Sequence, residues 1–150
     1  MHSFVRGIFT SALIAVAATG AQAGTPAPLV LAVHHSVPAD TLQKLRELAG
    51  EQPGALTIAN VGRGSPSRSA AKRFESAAQL SLAHVNYKDA RTAKAALASG
   101  EVAAMFLPAS QAASLISAGR VKALAVTGKQ RYAALPEVPT FTESGLPGVQ

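Results

Sequence analysis

His84–Leu107 reads HVNYKDARTAKAALASGEVAAMFL, and the fold is decided there. Val85 closes an apolar run expected as a strand over 81–85, and Asn86, Tyr87, Lys88 and Asp89 read as the polar turn that follows it. Ala90, Ala93, Ala96 and Leu97 recur at helical spacing, Gly100 stops the helix, and 102–107 is a nearly continuous apolar strand. A helix between two such strands is a βαβ unit, whose usual setting is a parallel sheet covered on both faces. In that architecture ligands bind beyond the carboxyl ends of the strands, which is where Asn86 to Asp89 falls.

The same alternation extends in both directions. Leu29–Val33 is apolar and ends at His34-His35. Leu42, Leu45, Leu48 and Ala49 form the stripe of a helix that Asp40 or Thr41 can cap and Pro53-Gly54 ends. A strand is expected at 56–60. It runs into Val61-Gly62-Arg63-Gly64-Ser65-Pro66-Ser67, and a helix with a small-residue face follows from Arg68 to Gln79. Beyond Leu107 come an alanine-rich helix from Ala109 to Ala118, a strand at 121–126 and a proline-rich tail. The reading is a three-layer αβα domain with a mostly parallel five-stranded sheet, in the order β-α-β-α-β-α-β-α-β, with one antiparallel strand allowed at an edge or switch point. The expected core is Leu31, Val33, Leu42, Leu45, Leu48, Ile58, Phe74, Leu82, Val85, Leu97, Val102, Met105, Phe106, Leu115, Leu124 and Val126. The tail residues Val138, Phe141, Leu146 and Val149 have no obvious place in the sheet. They therefore mark a candidate docking surface.

Residues 1–23 read as a cleaved signal peptide: Arg6 precedes an apolar run from Ile8 to Ala18, and Ala21-Gln22-Ala23 has the small-x-small form. That leaves 24–150 as a single domain in which 13 Lys and Arg face 8 Asp and Glu. The basic residues are scattered, with no aromatic-interleaved stripe, so nucleic acid is not the expected partner and small anions are. Cysteine is absent, which excludes a disulfide-stapled scaffold.

No metal, cofactor or catalytic arrangement is called for. HExxH and GxSxG motifs are missing, as are carboxylate pairs at helical spacing in a cleft position. His34 and His35 are expected on opposite faces of a strand, which makes them poor joint ligands. His84, alone near a strand, reads as a hydrogen-bonded structural residue. The Gly62–Ser67 turn places two glycines before a helix start. The residues alone leave an anion seat and an ordinary capped turn equally open.

An ordered set of short motifs carries a resemblance. It comprises Gln52-Pro53-Gly54, Gly62-x-Gly64-Ser65-Pro66, Val85-x-Tyr87-Lys88 and Gly100-Glu101-Val102. The closing block adds Gly119–Thr127, Arg131, Leu135-Pro136-Glu137-Val138-Pro139-Thr140 and Glu143–Gly148. Together they closely resemble the Bug, or TctC-like, solute-binding proteins of tripartite tricarboxylate transporters. The resemblance implies one lobe of a two-lobed, type II periplasmic binding protein that captures small organic carboxylates and passes them to a membrane permease. It also implies that this chain is the second lobe alone behind its signal peptide, truncated and weakened in binding unless a homodimer or missing-lobe partner completes it. The alternative reading is a non-enzymatic module that dimerises or docks through the surface facing that missing lobe.

Carried over by position, the resemblance assigns Gly62, Arg63, Gly64, Ser65 and Pro66 to the loop whose N–H groups receive a carboxylate. It assigns Asn86, Tyr87, Lys88 and Asp89 to the family's VPYKG loop, with Asn86 in place of proline and Asp89 in place of glycine. Leu107 stands where the family often has an acid. Asp89 would repel an anionic solute, or would cap the helix after it.

Overall fold

The computed structural model of this chain describes residues 28–62 and 65–149. The leader read at 1–23 lies outside the described residues, and so do Arg63 and Gly64. The elements are β1 (Leu29–His34), α1 (Leu42–Glu51), β2 (Thr57–Val61), α2 (Pro66–Ala78), β3 (Ala83–Tyr87), α3 (Ala90–Ser99), β4 (Ala104–Pro108), α4 (Ala109–Ser117) and β5 (Val121–Val126). Among the described residues no helix is long and apolar enough to cross a membrane.

The five strands form one sheet in the order β3-β2-β4-β1-β5. β2 pairs in parallel with β3 and β4, whereas β1 pairs antiparallel with both β4 and β5. Four strands therefore share a direction. The one reversed strand is β1, which sits inside the sheet rather than at its edge. Its central place explains why all six of its residues are buried.

Alternation along the strands splits the core into two layers. Leu31, Val33, Ile58 and Phe106 face α1 and α2, which contribute Leu42, Leu45, Ala70, Ala71 and Phe74. Val30, Ala32, Met105 and Leu107 face α3 and α4, which contribute Ala93, Ala96, Leu97 and Ala112. The alanines let these helices lie close to the sheet. Of the expected core, Leu48, Val85 and Leu115 are only half-buried. Leu48 and Leu115 lie at the margins of their stripes, and Val85 lies on the edge strand.

The tail folds back onto the domain, contrary to the docking surface expected from its sequence. Phe141 is fully buried against Phe74 and Phe106, with ring centroids 5.9 and 5.8 Å away. Leu146 and Val149 join the same layer, and Val138 joins the other. The backbone follows: Val126 N–H donates to Pro139 O at 2.9 Å, and Phe141 N–H donates to Val126 O at 3.1 Å. The tail thereby covers one end of the β5 edge.

The third strand starts and ends two residues later than its sequence suggests. Asn86 and Tyr87 belong to β3, in register with Asn60 and Val61 of β2. Edge-strand pairing runs through the backbone, so polar side chains do not end it. The two adjacent histidines are also placed differently from expectation. β1 ends at His34 and the chain turns at His35, which brings the two rings to a centroid distance of 4.2 Å.

Candidate functional site

Because β2, β3, β4 and β5 run together, their carboxyl ends form one rim, and α2, α3 and α4 start there. The reversed β1 brings its amino end to the same rim. Leu29 N–H donates to Thr127 Oγ1 at 2.9 Å, Thr127 N–H to Leu29 O at 2.8 Å, and Ala109 N–H to Pro28 O at 3.0 Å. The rim is thus stitched across β4, β1 and β5 by short bonds.

At the β2 exit Gly62 takes a left-handed conformation, φ +59°, and its N–H donates to Tyr87 O at 3.3 Å. That bond brings Gly62 beside Tyr87, one residue from each of the two stretches singled out in the sequence. Ser65 caps α2, its Oγ accepting from Arg68 N–H at 3.3 Å, and Pro66 occupies the first helical position. The Ser65 and Ser67 hydroxyls lie 3.2 Å apart. Neither α2 nor α4 has an acidic residue in its first turn, and no side chain caps α4. Neither helix start therefore has a carboxylate to offset the positive end of its dipole.

α3 differs. Asp89 Oδ1 accepts from Thr92 N–H at 2.8 Å, and that hydrogen bonding holds the carboxyl below its ordinary range. Its charge faces the α3 dipole. Lys88 and Asn86 are exposed beside it. Tyr87 is half-buried, and burial, with the Glu101 carboxylate as a second cause, raises its phenol above the ordinary value. Leu107 is fully buried in the α3/α4 layer, so it adds no polar group to the rim.

Of the nine sequence-designated site residues, Gly62, Ser65, Pro66, Asn86, Tyr87, Lys88 and Asp89 fall at this rim, and Arg63 and Gly64 lie outside the described residues. Sequence reasoning passed over Asn60 and Glu75, which form a side-chain chain with His84 that runs from the end of β2 back to the start of β3. An asparagine inside an otherwise apolar strand was the available signal. Among the described residues no group of three His, Cys, Asp or Glu is placed to hold a metal ion.

Chemically the rim presents two helix starts, those of α2 and α4, with no acidic residue in their first turn, a setting suited to a small anion. The family model for the tripartite tricarboxylate transporter family receptor, TctC, matches residues 19–150. The chain belongs to the TctC family. A UPF0065 protein encoded in the tcbD-tcbE intergenic region of Pseudomonas sp. (strain P51) is 37% identical over 119 residues, 76% of this chain and 35% of that relative. Among solved structures, Rpa4515 of R. palustris with adipate and MatC of Rhodopseudomonas palustris with bound malate each give a TM-score of 0.79 at 27% identity. The periplasmic binding protein BugD matches equally well. In all three this chain is covered over 83% of its length and the solved chain over 42%. The chain therefore spans about a third of that curated relative and about two fifths of each solved structure. The α/β architecture is that of these periplasmic binding proteins.

Proposed function

We propose that this domain is a solute-binding lobe of a tripartite tricarboxylate-type uptake system. It acts in the periplasm after removal of residues 1–23, and it binds a small organic carboxylate without catalysing a reaction. The observation that carries this reading is the bond from Gly62 N–H to Tyr87 O, which joins the β2 exit to the end of β3, where Lys88 and Asp89 follow. In the proposed mode, the α2 start receives one carboxylate, Lys88 adds positive charge, and Asp89 limits how much negative charge the solute can carry. That the structural neighbours named above hold adipate and malate supports the class of solute.

A buried carboxylate needs donors all round it. The rim forms one wall, so the lobe by itself binds weakly. The opposite wall comes from outside this domain, from a second copy or a partner lobe, and a permease of the tripartite tricarboxylate type receives the solute. The alternative module would dock through this same rim, because the apolar residues of the tail are already buried in the domain.

The test is isothermal titration of the purified protein with mono-, di- and tricarboxylates, its mass in solution being recorded alongside. Micromolar binding by a dimer supports a receptor completed by a second copy. Weak binding by a monomer supports a lobe that works with a partner. A folded protein that gives no heat with any carboxylate overturns the solute reading.

A further inference from the structure

Behind the β2 exit three side chains from three elements form a continuous hydrogen-bonded chain, and the inference drawn from it rests on the solute-binding reading above. Asn60 is fully buried in β2. Its Nδ2 donates to His84 Nδ1 on β3 at 2.7 Å, while its Oδ1 is buried without a hydrogen-bond partner. His84 Nε2 donates to Glu75 Oε2 on α2 at 2.6 Å, and Glu75 Oε1 accepts from Leu82 N–H at 2.8 Å. A single carboxylate thus ties α2 to the start of β3 and, through the imidazole, to the end of β2.

The proton positions follow from chemistry. An ionised carboxylate only accepts, so His84 Nε2 must carry a hydrogen. A neutral ring then has a bare Nδ1, which demands a donor, and Asn60 answers with its amide N–H. Meeting that demand turns Oδ1 away from the ring. Buried amide oxygens are rarely left unpaired in folded proteins. Here the demand at His84 imposes the vacancy.

We propose that Glu75, His84 and Asn60 act as a positioning relay for the two solute loops. Glu75 selects the tautomer of His84, the tautomer selects the orientation of the Asn60 amide, and the relay holds β2, β3 and α2 in one relation. Those three elements carry the loops: β2 runs into Gly62, β3 into Lys88 and Asp89, and α2 begins at the Ser65 cap. Next along β2 and β3 from the relay, Val61 pairs with Tyr87, and then Gly62 N–H reaches Tyr87 O. Glu75 is the charged group in hydrogen-bond contact with the ring, and β2 presents only the neutral amide of Asn60.

Glu75→Gln tests the relay in the full chain. The glutamine oxygen keeps Leu82 N–H satisfied, but its NH2 now faces His84 Nε2. The ring must move its proton to Nδ1, and Asn60 must turn to offer Oδ1. Long-range proton–nitrogen NMR under alkaline conditions reads the tautomer directly. The wild type is expected to show Nε2–H and the variant Nδ1–H. The amide signals of Gly62 and Ser65 are expected to move with the switch, and malate affinity to fall about fivefold. An unchanged tautomer overturns the relay, and a switched tautomer with unmoved Gly62 and Ser65 signals overturns its coupling to the loops. Should the variant not fold, the wild type decides alone, because Nδ1–H there contradicts the relay and Nε2–H supports it. Should the wild type bind none of the mono-, di- and tricarboxylates, the solute reading falls while the tautomer and loop readouts still decide the relay.

Discussion

Asp89 spends its carboxylate on Thr92 N–H, 2.8 Å away, at the start of α3. Asp89 is therefore the helix N-cap of α3, and in the proposed binding mode its charge opposes the approach of a dianionic solute. Cap and charge are separable, since asparagine caps as well as aspartate whereas glycine costs a few tenths of a kcal/mol. One unit charge removed at about 6 Å in a water-like medium is worth roughly 0.7 kcal/mol per solute charge. Asp89→Asn is expected to raise dicarboxylate affinity about threefold to tenfold with the melting temperature unchanged. Asp89→Gly is expected to raise affinity similarly while melting slightly lower. Titration calorimetry beside thermal melts checks both, and unchanged affinity in the two variants would remove Asp89 from the solute's path.

Gly62 is held at φ +59°, and among the described residues beyond its chain neighbours a Cβ there would meet no atom within 4 Å. Substitution thus probes backbone conformation rather than space. Alanine should cost about 1–2 kcal/mol, valine more, and asparagine less, because it tolerates the left-handed region. Urea midpoints of the three variants give the ranking. Equal losses for alanine and asparagine would show that the conformation is not what matters at this turn.

Much of the architecture is legible in the chain because strands and helices alternate with clear punctuation. Gly100 and Asp89 mark the two ends of α3 unambiguously, one by its positive φ and one by its capping oxygen. The reversal of β1 is not legible, since nothing in Leu29–His34 records that its neighbours will be β4 and β5, roughly seventy to ninety residues away. The tail's burial was hidden for a related reason. Phe141 and Leu146 show no helical or strand period and find their places only where Phe74 and Phe106 leave room. At the site, the left-handed turn at Gly62 could be read from residue type, and capping is one of the two roles the sequence leaves open for Asp89. The Glu75–His84–Asn60 chain could not, because it joins elements whose register only the fold sets.

His34 and Gly100 lock together at the opposite rim. A Cβ added to Gly100, itself at φ +87°, would lie 3.1 Å from His34 Cε1. Gly100→Ala is expected to cost about 1–2 kcal/mol from the backbone, with the ring displaced in addition. Burial, and next the neighbouring His35, lowers the His34 pKa from 6.5. Its Nδ1 also accepts from Ser36 N–H at 3.2 Å, a bond that protonation would remove. Below 6.5 the unfolded chain binds this proton more readily than the fold does. Stability should therefore hold above that value and decline as the pH falls beneath it. Urea midpoints at about pH 7.5 and about pH 5.5 should show a smaller difference in His34→Gln than in the wild type. An identical difference would assign the acid sensitivity to another group.

Glu143 fastens the tail. Its carboxylate takes Arg131 Nη2 at 2.8 Å and Thr140 N–H at 3.0 Å, while Thr140 Oγ1 accepts from Glu143 N–H at 3.0 Å. This reciprocal pair is a capping box closed by a guanidinium, and Arg131 also donates to Pro136 O at 2.9 Å. The hydrogen bond from Arg131, with that from Thr140 next, lowers the Glu143 pKa from 4.5 to about 2. A depressed carboxyl contributes stability that is complete above 4.5 and lost as the pH falls toward 2. The pair is nearly half exposed, so the effect is local rather than global. Amide exchange at Phe141, whose N–H meets Val126 O, should accelerate across that window once corrected for intrinsic rates. Glu143→Gln should show the faster exchange already at neutral pH, with no further acid step. If Phe141 exchanges as slowly in Glu143→Gln as in the wild type, burial of the Phe141 ring alone holds the tail, and the ion pair is incidental to it.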